Sequence, residues 1–416
     1  MRLKRSIISI IPLLMRFGAA GARLLLLFVI ASYGSDSLMG EYAILMVFVG
    51  LGTQFFGFEL NAAVGRIIHT KPNNEKFKLL SSQFSLHLVT YLLLFAPLLL
   101  LLQYFFSGST VSIFLYVIVI YLEHFAVEAY RILVTLLKPK EASYFHFYRN
   151  VPFVAFLTVI SLANPTLLNI QIIAIAWILN SAASLIVLHR QYSRHAEWRE
   201  SIHITSIRSA AMLALKSRYL YLISCSGALA AYIDKLIIFE LLGKEAVGKL
   251  YFFFSLASAI SLIVSFTVGV KEGPLAIKQY QEGHFSAFAR SKINMQRRYL
   301  AIAGSTSLVL ISLFLLVGHL GYNKYYDYAG VYFLILVSVS VAIQADVIKL
   351  DYYLQVKDGA LLFINLAHLS FTFASVFLLS TYLGMQGAAM AMVVSSVLLV
   401  FLLHYSKSIS QVRKYL

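Results

Sequence analysis

With 416 residues, 60% of them hydrophobic and 12% charged, the chain lies far from the composition of a water-soluble domain and reads as a polytopic membrane protein. The formal net charge of +16 raises nucleic acid as a partner, but the placement of the basic residues, set out below, excludes it. The lone cysteine, Cys225, stands in an apolar run, which excludes an internal disulfide and a cysteine-rich metal centre.

Apolar runs divided by polar, Gly, Pro and Asn punctuation predict twelve spans, near 7–32, 41–63, 79–102, 110–137, 147–163, 166–189, 216–242, 247–269, 298–318, 329–350, 360–381 and 386–405. The first, Ile7–Ser32, organises the rest. Its basic start and the Ala20-Gly21-Ala22 triplet imitate a signal peptide, but Arg16 inside the apolar region argues against cleavage. Arg16 and Arg23 are seven residues apart, so they share one helical face. A guanidinium at membrane depth costs roughly 2.5–3.5 kcal/mol on insertion scales. Two on one face require water, a counter-charge or an anionic ligand, unless they snorkel to opposite interfaces. Arg16 is deep for snorkelling, and the face is expected to line a central cavity that receives an anion.

Span four, near 110–137, carries Glu123, His124, Glu128 and Arg131. His124, Glu128 and Arg131 fall on one face, where Glu128 and Arg131 can pair; Glu123 points elsewhere, with no partner visible in the sequence. Either carboxyl is a candidate to carry a coupling ion, and Arg131 is a further candidate for holding an anion. His87 and His368 read as lone packing histidines. The fifth span is interrupted by Pro152 and closed by Asn164-Pro165. The basic segment Gln191–Ser217 then joins two groups of six spans, giving expected domains of 1–208 and 209–416.

Span seven contains Asp234 and Lys235, and a small, polar stripe at helical spacing (217, 221, 224, 228, 231, 235) suited to a cavity wall. Lys235 would add a third cation to the two arginines, and Asp234 is a candidate for ion coupling. Lys271–Arg298 is expected to lie along the interface as an amphipathic helix. Span ten holds Asp346 and Lys349 at i and i+3, a potential pair, with Asp346 a further ion-coupling candidate.

Of the 34 Lys and Arg residues, 26 fall in loops or at span ends on the N-terminal side, three in loops or at span ends on the opposite side and five deep inside spans. This is a strong positive-inside signal that puts both termini in the cytoplasm and accounts for the charge as topology and contact with anionic lipid. The hairpin LLLLFVIASYGSDSLMGEYAIL repeats weakly as DKLIIFELLGKEAVGKLYFF, and Gly40 and Gly248 lie half a chain apart. Such a parallel repeat predicts two six-helix bundles related by a pseudo-two-fold along the membrane normal, with a substrate site between them. No Walker A loop, dinucleotide fingerprint, HExxH or GxSxG is present, so neither a cofactor nor enzymatic chemistry is expected.

Gly40-Glu41-Tyr42, Asp234-Lys235, the run Gly243-Lys244-Glu245-Ala246-Val247-Gly248 and Tyr251, set in twelve spans, resemble the polysaccharide-export branch of the multidrug/oligosaccharidyl-lipid/polysaccharide exporter superfamily, and within it the O-antigen (Wzx-type) flippases. The resemblance implies a bacterial inner-membrane flippase that moves an undecaprenyl-diphosphate-linked glycan from the cytoplasmic to the periplasmic leaflet by ion-coupled alternating access. It also implies a glycan polymerase and a chain-length regulator as partners. On it, Arg16 and Arg23 match the basic first-span positions of related lipid II flippases, and Lys235 takes the basic place of span seven. Lipid II flippases usually carry two further spans, for which this chain has no room. A cation-coupled multidrug antiporter of the same superfamily is the alternative.

Overall fold

The computed structural model describes residues 2–65, 68, 72–106, 110–136, 138–192, 207–319, 323–355 and 357–412. Among them every regular element is helical. In chain order these are α1 (Arg2–Tyr33), α2 (Asp36–Phe55), the short α3 (Leu60–Gly65), α4 (Asn73–Phe105), α5 (Thr110–Thr135), α6 (Pro139–Ala163) and α7 (Ile170–Tyr192). Then follow α8 (Ile207–Lys216), α9 (Arg218–Val264), α10 (Val270–Gln281), α11 (Phe285–His319), α12 (Ala329–Leu354) and α13 (Asp358–Val412).

Ten of the described helices are long and apolar enough to cross a membrane. Two of them run for 52 and 49 residues, about 75 Å each if straight, against a hydrocarbon core of about 30 Å. Neither is straight. Gly243 in α9 has φ +83° and Gly384 in α13 has φ +57°, both in backbone regions that glycine alone enters without strain. Beyond each glycine the chain folds back. The Lys235 ammonium lies 4.3 Å from the ring centre of Phe254, nineteen residues on. Ser395 hydrogen-bonds His368 at 2.9 Å across a separation of 27. Each long helix is therefore a hairpin of two crossings, and the described residues contain twelve crossing-length segments.

The boundaries differ from expectation in three places. Span two ends at Phe55, not 63; residues 56–59 form a turn with Phe58 and Glu59 both at φ +49°, and α3 follows. Span five begins earlier, at Lys140, and absorbs Pro152. Proline leaves the carbonyl of Tyr148 without its helical donor, and the Asn180 side chain on α7 donates to it at 3.2 Å and to the Arg149 carbonyl as well. Finally, Lys271–Arg298 is not one interfacial helix. It is α10, a turn at 282–284 and the start of α11, tied together by Arg298–Glu272 and by Ser291 donating to Gln279 at 2.8 Å. Of the predicted joint, residues 193–206 lie outside the described residues.

Two compact units are resolved, Met1–Cys225 and Ser226–Leu416. In the first, alanines Ala126, Ala129 and Ala142 let α5 and α6 approach closely around Leu133 and Phe145. Leu213 of α8 packs against Leu60 and Leu86. In the second, Phe252 and Phe253 stack with Tyr325 and Tyr332, and the Ser338 hydroxyl donates to the Met392 carbonyl at 3.0 Å, linking α12 to the second arm of α13. In lipid such polar links are worth about 0.6 kcal/mol each, so packing of small residues carries most of the association.

Candidate functional site

In the first unit, the arginine face of α1 turns onto α6. Arg16 Nε donates to Ser143 Oγ at 2.9 Å, and Arg23 Nε donates to Asn150 Oδ1 at 2.8 Å. Both pairs are separated by 127 residues, so α1 and α6 run parallel and in register, with a seven-residue repeat on each side. Asn150 is itself anchored by donating to the His146 carbonyl at 2.6 Å. Arg23 reaches further: its Nη2 lies 3.6 Å from Glu123 Oε1, while its side chain stays 45% exposed.

Glu123 is 5% exposed and has partners after all. Arg149 of α6, itself buried, is hydrogen-bonded to one carboxylate oxygen, and Trp177 Nε1 of α7 donates to the other at 3.0 Å. Those partners come from helices that a wheel of α5 cannot show. Arg149, counted with the cytoplasmic loop residues at the edge of the fifth span, lies well inside it, because that span begins at Lys140. Arg16, Arg23 and Arg149 all act electrostatically on His146, and among the described residues Glu123 is the carboxylate paired with Arg23 and Arg149. The surplus is positive, and Arg23 offers the exposed part of it.

The predicted pair on the other face of α5 forms. Arg131 Nη1 donates to Glu128 Oε1 at 2.8 Å, and Gln83 of α4 donates to Oε2 at 2.6 Å. Glu128 is buried and Arg131 is 25% exposed.

In the second unit, Lys235 is fully buried and its three ammonium protons are spent. They go to both oxygens of Asp234, at 2.9 Å each, and to the Ala231 carbonyl at 3.1 Å. It is not the free third cation expected; its own neighbour neutralises it. Asp234 lines a cavity of about 290 Å³ with Asp346, Lys349, Asn365, His368 and Ser395. Asp346 is exposed to that cavity. Asp346 and Lys349 share its wall, but among the described residues no ion pair joins them.

The structure thus brings Arg16, Arg23 and Glu123 together in one unit, pairs Glu128 with Arg131 nearby, and places Asp234, Lys235 and Asp346 in the other unit. The sequence reading missed Ser143, Arg149, Asn150 and Trp177. Ser143 and Asn150 repeat the seven-residue spacing of the two arginines, which was the available signal. Among the described residues no group of His, Cys, Asp and Glu is arranged to hold a metal ion.

No family model matches the chain, and no curated protein matches it in sequence. Solved structures do match in fold. An inward-facing multidrug-resistance MATE transporter of the MOP superfamily aligns with TM-score 0.72 at 12% identity over 94% of this chain and 95% of that one. The lipid II flippase MurJ, in an inward closed conformation, aligns with TM-score 0.73 at 16% identity over 95% and 87%. A MOP-superfamily transporter from Pyrococcus furiosus, described as having a binding pocket of reversed polarity, aligns with TM-score 0.65 at 12% identity over 96% and 93%. The chain has the fold of these membrane transporters.

Proposed function

We propose that the protein is a MOP-superfamily flippase that translocates an undecaprenyl-diphosphate-linked oligosaccharide, of the O-antigen or capsule repeat-unit type, across the bacterial inner membrane by ion-coupled alternating access. The observation that carries this reading is Arg23. Its guanidinium is oriented by Asn150 and Glu123, remains half exposed, and shares the Glu123 carboxylate with Arg149. An oriented guanidinium with free donors suits a diphosphate, which it grips through paired charge-assisted bonds. The likeness to a lipid II flippase supports a lipid-linked substrate. Positive-inside bias supports cytoplasmic termini. Glu123, Glu128, Asp234 and Asp346 are the acids available to carry a coupling ion; Lys235 is assigned to Asp234, not to substrate.

Deleting the gene in its host should strand lipid-linked repeat units on the cytoplasmic leaflet. Arg23→Ala should fail to restore surface glycan while the protein persists in the membrane. Losing a charged hydrogen bond of about 1.5–3 kcal/mol corresponds to a loss of roughly 10–100-fold. Normal surface glycan from the variant would overturn the role of Arg23.

The cavity of the second unit favours a second reading. It is lined by Asp234 and Asp346, its acids suit a cation, and MATE transporters share the fold. A cation-coupled multidrug antiporter would move ethidium in proteoliposomes against a proton gradient, and Arg23→Ala would leave that movement unchanged.

A further inference from the structure

The described residues contain a second buried polar cluster, where α4 and α5 meet the turn after α2. His87 and His124 are both fully buried, with ring centres 4.9 Å apart. His87 Nδ1 lies 3.1 Å from the carbonyl of Phe56, the first residue beyond α2. A carbonyl only accepts, so Nδ1 carries the hydrogen and the neutral ring presents a bare lone pair at Nε2. That lone pair has no hydrogen-bond partner, and it faces Glu128 Oε2 at 3.8 Å. Two acceptors therefore oppose each other in a buried site with no hydrogen between them. Gln83 donates to the same carboxylate, and its own Oε1 is also buried without a partner.

We infer that His87 and Glu128 form a one-proton binding site, in which a proton taken from the aqueous phase bonds to His87 Nε2 and is shared with Glu128 Oε2. One N–H bond forms and no electrons are exchanged. The imidazolium then donates twice, to Glu128 on α5 and to Phe56 at the end of α2, and ties the two elements together. Burial and the Arg131 guanidinium oppose that charge, and the neighbouring carboxylates favour it. The groups around His87 are Tyr91 on its own helix, Tyr121, His124, Glu128 and Arg131 on α5, and Glu59 in the turn, which acts on Glu128 electrostatically and whose Oε2 is buried and unpartnered. Two carboxylates stand against one guanidinium, so one added proton balances the cluster. Tyr121 donates to the Tyr91 carbonyl, Tyr91 is hydrogen-bonded to His124, and Tyr221 at the start of α9 donates to the Phe55 carbonyl, so none of these hydroxyls supplies the missing hydrogen. The adjoining backbone is built for response: Phe58 and Glu59 are held at positive φ, and a Cβ on Gly57 would come within 3.2 Å of His124 Nε2. In use, this proton is the coupling ion of the transport cycle, and that use rests on the proposed function; the site itself does not.

The test reads protonation directly. The purified full-length chain in lipid nanodiscs, with ring-labelled histidine, is titrated between pH 8 and 5 by infrared difference spectroscopy. The wild type should show a buried imidazolium band that is absent in His87→Gln. In Glu128→Gln, which keeps the shape and leaves one oxygen to accept from Arg131, the band should require roughly 10-fold or more higher proton concentration, because its counter-charge is gone. A band that survives in His87→Gln, or a midpoint unmoved in Glu128→Gln, overturns the site. His124→Gln separates the two rings: it should retain the band, and loss there with retention in His87→Gln would assign the proton elsewhere and also overturn the proposal. Since no substrate is involved, a negative result here and a negative surface-glycan result fail independently.

Discussion

Arg149 on α6 and Glu123 on α5 neutralise each other inside the first unit, at 3% and 5% side-chain exposure. Removing one member of such a pair leaves an uncompensated buried charge, which costs about 3–5 kcal/mol, whereas removing both is often neutral. Arg149→Met should therefore unfold at much lower denaturant than wild type, and Arg149→Met with Glu123→Gln should recover most of the loss. A double variant as weak as the single would mean that shape, not charge, governs this position.

The same logic applies within one helix of the second unit. Lys235→Met leaves Asp234 buried at 4% exposure without its cation, and about 3–5 kcal/mol of stability should go with it. Lys235→Met with Asp234→Asn should return close to wild type in the same unfolding assay. Equal stability of Lys235→Met and wild type would show that Asp234 is neutral in the native protein.

Asn180 and Pro152 form a testable couple. The proline frees the Tyr148 carbonyl and the amide fills it, with a second bond to the Arg149 carbonyl. Asn180→Leu should cost about 1–3 kcal/mol where Pro152 is present, because a backbone acceptor inside an apolar span is left without a donor. With Pro152→Ala the helix supplies its own donor, and the penalty of Asn180→Leu should shrink by at least half. Unchanged coupling in that double-mutant cycle would contradict the assignment.

The hairpin of α13 depends on close backbone approach. A Cβ at Gly387 would sit 1.9 Å from the Leu379 carbonyl oxygen, and Gly384 supplies the positive φ. Gly387→Ala should abolish monodisperse protein on size exclusion. Gly359→Ala, whose Cβ meets nothing within 4 Å, should be tolerated. A well-behaved Gly387→Ala would show that the two arms are free to separate.

Span number and helix content were legible because lipid imposes a long apolar period on every crossing, and the Gly243 turn was marked by the short polar run around it. The seven-residue arginine face was legible for the same reason. What faced it was not: Ser143, Asn150 and Arg149 lie on a helix 120 to 130 residues away, and a loop-based count of basic residues had put Arg149 at the edge of the fifth span. Glu123 looked stranded because both of its hydrogen-bond donors, Arg149 and Trp177, come from other helices. Conversely, the pairing of Glu128 with Arg131 was readable, since both sit one turn apart on α5. Lys235 illustrates the limit of counting charge. Its sign was right and its availability was wrong, because its protons are taken by residues one and four positions earlier.

The self-contained bonding of Lys235 bears on how the chain enters the bilayer. Both Asp234 and the Ala231 carbonyl belong to the same hairpin arm, so the ammonium can be quenched while that arm is still in the insertion machinery, before any other helix has arrived. Glu123 has no such resource within its own helix: one guanidinium comes from α1, already made, and the other is synthesised 26 residues later on α6. Its full complement of partners is therefore complete only when α1, α5 and α6 have met.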